Sequence, residues 1–143
     1  MTRSYCINFL LPLFLLSCVG GVRTDKVDFT QGFTDGNSKV WVVSKTITPD
    51  GAVTMNEPLK SDVYVFYSSG TCFLTDFQQL SQGKGRHGKV EFDHELRTVS
   101  LLFDQEKRAF EFEFLDENHL MFYPLEGSSY TKAIELIPFP EFR

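Results

Sequence analysis

Arg108-Ala109-Phe110-Glu111-Phe112-Glu113-Phe114-Leu115 sets three phenylalanines against two glutamates in strict alternation. Successive side chains of a strand point to opposite faces, so this octet has one apolar and one solvated face. Outward from it, short β-rich runs alternate with turn residues along the chain. Residues 39–48 end at Pro49-Asp50-Gly51, and 62–68 and 71–78 flank Ser69-Gly70. Residues 89–93 and 96–103 flank His94-Glu95, and 108–115, 119–123 and 130–137 follow. Ser69-Gly70 is a tight-hairpin signal, because glycine takes a positive φ without steric cost. Residues 52–61, with Asn56 and Pro58, read as a loop, and so do the polar, glycine-rich residues 81–88. No helix is expected between the strands. Short links demand antiparallel neighbours, since a parallel pair needs a crossover of about a dozen residues or more. The expected fold is therefore all-β: an eight-stranded antiparallel up-and-down barrel, partly open at one end, which removes exposed edges. A sandwich of two sheets fits less well, because Greek-key crossings need longer links.

A barrel of this size is just wide enough to be filled by side chains or to hold one small ligand. The expected lining is Trp41, Val43, Tyr64, Phe66, Phe73, Phe92, Phe103, Phe110, Phe112, Phe114 and Phe122. Such bulk predicts a mostly packed core with at most a shallow cup at one end.

The N-terminus reads as an export signal. Arg3 supplies a positive start, and residues 7–16 form an apolar core interrupted only by Asn8 and Pro12. That core is shorter than the about 20 apolar residues that span a bilayer. Leu15-Leu16-Ser17-Cys18 resembles the lipobox of bacterial lipoproteins: an aliphatic residue three before a cysteine, a small residue directly before it, then the acylated cysteine. The rival, a plain secretory cleavage near Gly20 or Gly21, lacks an A-x-A-like pattern. The resemblance implies a lipoprotein signal peptide over residues 1–17, lipidation at Cys18, a tether over 18–36 and a barrel domain over 37–143. It also implies the bacterial cell envelope, with a membrane anchor at Cys18. No Asp directly follows the cysteine and no acidic cluster comes after it, which by analogy favours the outer membrane, facing the periplasm.

The 143 residues carry 14 basic and 19 acidic side chains, and loss of Arg3 with the leader takes the net charge to −6. A mildly acidic domain has no electrostatic reason to bind nucleic acid. With Cys6 in the leader and Cys18 acylated, Cys72 stands alone, so no disulfide carries the stability and Cys72 is expected as a small buried hydrophobe.

Gly36-Asn37-Ser38-Lys39-Val40-Trp41, then Asp62-Val63-Tyr64-Val65-Phe66, then Ser69-Gly70-Thr71 follow one another in the order of the lipocalin-like lipoproteins of Bacteroidetes. The chain resembles that family over residues 33–137. It departs in having Val90 where a mid-barrel Gly-x-Trp strand would place the tryptophan, and in lacking a cysteine pair. The resemblance implies a lipocalin-like barrel with one open end framed by hairpin loops.

Candidate chemistry is sparse. His87, His94 and His119 show none of the familiar metal spacings and fall at expected turns, so neither metal nor cofactor is expected. Ser68-Ser69-Gly70 is a hairpin and not a nucleophile elbow, and Glu111 and Glu113 form an exterior polar row. No enzymatic constellation is present. Gly83-Lys84-Gly85-Arg86-His87-Gly88 is the strongest local charge feature, a solvated loop with glycines and three potential cations. In a meander this loop and residues 52–61 share a rim, and function concentrates on loops held by a rigid scaffold. Tyr64, Lys84, Arg86 and His87 are accordingly the candidate ligand-binding residues, for a ligand with an apolar body and an anionic head. The expected function is a non-enzymatic binding module for a small apolar ligand or a protein partner. Its rival is an accessory lipoprotein subunit of an envelope or secretion complex.

Overall fold

The computed structural model describes residues 28–139, so Cys18, the leader and the first part of the tether lie outside the described residues. Nine antiparallel strands follow in chain order: β1 Ser38–Ile47, β2 Val53–Met55, β3 Asp62–Tyr67, β4 Thr71–Asp76, β5 Arg86–Asp93, β6 Thr98–Phe103, β7 Glu106–Asp116, β8 His119–Pro124 and β9 Ala133–Pro138. Eight of them form a closed up-and-down barrel, lipocalin-like in architecture, with β9 returning to β1 through Val42↔Ile137 and Thr46↔Ile134. The ninth, β2, lies in the stretch expected to be a loop. It pairs only with the end of β1, because β1 bulges between Val43 and Lys45 and leaves β3 for β2 there.

The register places the core. Phe110 and Phe112 are buried inside the barrel while Glu111 and Glu113 are exposed, as the alternation predicts. Trp41, Val43, Tyr64, Phe66, Phe103 and Phe122 join them in one cluster, with Phe92 and Phe114 packed against it. Phe73 does not. The Ser69-Gly70 hairpin pairs Phe66 with Cys72 and Val65 with Phe73, so Cys72 and Leu74 face inward. Phe73 instead joins Val42, Val63 and Val65 in a second cluster on the outer face, where Leu80, Ile137 and Phe139 pack against it. Cys72 is fully buried, and burial pushes its thiol up to about 12.

Two short helices were not expected. Helix α1, Thr30–Thr34, falls within the expected tether and closes the end of the barrel where β1 begins. Phe33 drops from it into the interior against Phe66, Phe92, Phe112 and Phe114, with ring centroids 4.8–5.3 Å apart. The Trp41 indole donates to the Phe33 carbonyl at 3.0 Å and fixes the plug. Helix α2, Phe77–Leu80, starts where residues 71–78 were expected to continue as strand. Asp76 caps it by accepting from the Gln79 amide at 2.8 Å, so Asp76-Phe77-Gln78-Gln79 is a helix-start pattern.

The inner and outer faces of β7 give opposite expectations for stability. Phe112→Ala should lower it by about 3–5 kcal/mol, the usual loss for a buried phenylalanine. Glu111→Ala and Glu113→Ala should each stay within about 0.5 kcal/mol, as surface changes do. Chemical denaturation read by Trp41 fluorescence separates the two.

Candidate functional site

The end of the barrel opposite α1 is the polar one. It gathers the end of β1, β2, a 3-10 turn at Pro58–Lys60, the start of β3, α2, the start of β5 and the β6–β7 turn. The two loops expected to share a rim do so, since Asp62 at the start of β3 pairs with Asp76 at the end of β4.

At the base of this mouth lies Arg108, only 8 % exposed, on the inward side of β7 two residues before Phe110. Its Nε donates to Glu106 Oε1 at 2.7 Å and its Nη1 to the Tyr64 hydroxyl at 2.8 Å. The guanidinium also lies 4.7 Å from the Tyr130 ring centroid. Arg86 pairs with the other Glu106 oxygen and sits over the Phe103 ring at 5.0 Å. That ring occupies the space a Cβ at Gly88 would need, 2.7 Å away, so the glycine is what lets Phe103 support Arg86. Arg108 is the buried member of this group, and a charge so placed persists only where it is well hydrogen-bonded, as it is here.

The titration shifts follow from the contacts. Burial acts to raise Glu106, but hydrogen bonds from Arg86 and Arg108 outweigh it and hold its carboxyl below the usual glutamate range. Burial opposes the charge on Arg108, and Tyr64 and Glu106 overcome that and raise its pKa. Burial drives the Tyr64 phenol well above its ordinary value, so it stays protonated. Asp62 is raised as well, because burial exceeds the attraction of Arg108.

Two clefts flank the base and share Asp62. One, of about 340 Å³, is lined by Leu74, Thr75, Asp76, Gln79, Gly85, Arg86 and Arg108. The other, of about 440 Å³, is lined by Val43, Thr46, Met55, Asn56, Glu57, Lys60, Ser61, Tyr130 and Lys132. A third, of about 680 Å³, lies at the opposite end beside α1, between Asp28, Gln31, Asp35, Lys39 and residues 116–118.

Of the four expected contact residues, the fold brings Tyr64 and Arg86 together. Lys84 stays on the link after α2, where its carbonyl accepts from Thr75 Oγ1 at 2.6 Å. His87 is turned away. Residues 86–88, expected in a loop, open β5, so His87 takes the face opposite to Arg86 and packs on Phe73 outside the barrel, 4.6 Å between centroids. The residues that sequence reasoning missed are Arg108, Glu106, Asp62 and Tyr130. Arg108 was within reach: extending the Phe110, Phe112, Phe114 parity two residues back places it inward.

The other histidines are separate from the mouth. His94, also expected at a turn, stacks between Phe29 and Phe92, and its Nε2 lies 3.8 Å from Asp28. His119 contacts Asp116 at 2.8 Å. Among the described residues no three His, Cys, Asp or Glu side chains are grouped to hold a metal ion.

Family models, curated proteins and solved structures give no match to the chain. No helix among the described residues is long and apolar enough to cross a membrane.

Glu106 should link stability to pH. Its folded pKa lies below the ordinary glutamate value, so its contribution is complete above that value and is lost as pH falls through the folded pKa. Glu106→Gln exchanges charged hydrogen bonds to two guanidinium groups for neutral ones, a loss of about 1–2 kcal/mol at neutral pH. Urea denaturation at several pH values should show this gap close below the carboxylate range.

Proposed function

We propose that this protein is a non-enzymatic binding module of the bacterial cell envelope, anchored through an acylated Cys18, which recognises a protein partner at the mouth of its barrel. One observation carries the choice of partner. Phe33 and the aromatic side chains around it fill the interior, so the apolar body of a lipid-like ligand has no room where lipocalin-like barrels would hold it. Two further features support the mouth as the recognition surface. Arg86 and Arg108 are both engaged by Glu106, which leaves an incoming anionic head no unpaired guanidinium at the base. Around the rim, Val53, Met55 and Leu59 are exposed by 58 %, 70 % and 55 %, apolar surface of a kind that protein interfaces use.

The anchor fits this arrangement. The N-terminal segment joins the domain at α1, the plugged end, so a tether from Cys18 attaches at the end opposite the mouth. The ten residues between Cys18 and Phe29 reach about 35 Å when extended. Outer-membrane attachment facing the periplasm is part of the same proposal, as is the kinship with lipocalin-like lipoproteins. A role as accessory subunit of an envelope complex is the form that a protein partner at the mouth would take.

Cys18→Ser, expressed as the full chain in a lipoprotein-processing bacterium, should move from the membrane to the soluble fraction. Retention in the membrane would reject the anchor. Titration with fatty acids and detergents should leave Trp41 fluorescence without a saturable change, whereas saturable quenching would restore the apolar ligand and remove the protein-partner reading.

A further inference from the structure

Closure of the barrel leaves one strand with an open side. Among the described residues β2 has β1 along one edge and no strand along the other. The direction of its backbone groups follows from two bonds. Thr48 N donates to Ala52 O at 3.0 Å and Asn56 N to Ser44 O at 2.8 Å. Hydrogen-bonded and non-bonded pairs alternate along an antiparallel ladder, so Thr46↔Thr54 is the bonded pair between them. Val53 and Met55 are then non-bonded toward β1, and the N–H and C=O of both point outward, with no partner among the described residues. Edges of this kind are usually blunted by lysine, proline or a bulge. β2 has none of these, and its Val53 and Met55 side chains are the exposed ones.

The free groups are symmetric about Thr54, and we propose that β2 pairs with β2 of a second copy of this chain. An antiparallel register centred on Thr54 sets Val53 opposite Met55 of the other copy, and Met55 opposite its Val53. All four outward groups of each copy are then satisfied, and each Val–Met pair shares a face. The interface is isologous, with a two-fold axis between the two Thr54 residues. The axis reverses the second barrel, so the two α1 ends point away from each other. Three residues a side plus Leu59 fall short of the about 1,200 Å² that stable complexes bury, which makes the association concentration-dependent. This inference rests on the reading of the rim as an interface, because Val53, Met55 and Leu59 are the exposed residues offered there to a partner, and it makes a second copy their occupant.

Thr54 and its counterpart form a non-bonded pair at the outer edge, with Cα atoms about 4.5 Å apart, a spacing that accepts a disulfide. Full-length chain carrying Thr54→Cys, purified in detergent and mildly oxidised, should give about tenfold more covalent dimer than the exposed control Glu113→Cys. The unsubstituted chain supplies the background from its own cysteines. Adding Val53→Pro, which removes an outward N–H without touching the bonds to β1, should abolish the excess. Val53→Lys, which leaves the backbone intact, should do the same if the proline variant unfolds. Dimer yield no higher than the Glu113→Cys control, or unchanged by both Val53 substitutions, overturns the pairing.

Discussion

Closure of β1 against β9 is the constraint on which the rest depends. Eight strands enclose a space that side chains can just fill, and closure fixes which side of each strand faces it. The inward set is aromatic, and rings prefer edge-to-face or offset contact over loose packing. Phe33 meets Phe66, Phe112 and Phe114 at interplanar angles of 76–87°, as a ring in a built socket would. A five-residue helix has no stability of its own, so α1 exists because that socket and the Trp41 indole hold it.

The same closure explains the opposite end. The inward row of β7 runs Phe114, Phe112, Phe110, Arg108, Glu106, passing from apolar to charged within one strand. A guanidinium carried that far inward loses water, and it is tolerated only with partners on several sides. Tyr64 from β3, Glu106 from its own strand and the Tyr130 ring supply them. The polar base of the mouth is therefore also a structural joint between strands far apart in sequence.

How much of this was legible depends on range. The alternation in residues 108–115 decides the barrel, because period-two patterning is local and closure then follows from short links. Ser69-Gly70 marked the hairpin but not its register, and register alone decides that Phe73 lies outside while Cys72 lies inside. The plug was hidden for a different reason: a five-residue helix shows no periodicity, and Phe33 is explained only by the rings it meets from four strands. α2 did leave a signal, the Asp76…Gln79 capping pair, overshadowed by the β-rich text before it. Within the site, Tyr64 and Arg86 meet the same Arg108–Glu106 pair while Lys84 and His87 lie away from it; reading residues 83–88 as one loop ignores the strand alternation that splits Arg86 from His87.

The two ends thus divide the labour of one sequence. At the α1 end the chain spends its aromatic residues on its own interior, and the barrel is sealed by its own N-terminal segment. At the other end β1 bulges, leaves β3 and gives β2 a place, so the sheet gains a strand that the barrel does not need for closure. A strand unnecessary to the core, carrying exposed Val53 and Met55, has little reason in stability, since its apolar side chains remain in water. That strand borders the cleft shared by Asp62 and Tyr130, so the added strand and the polar base of the mouth lie at the same end of the barrel.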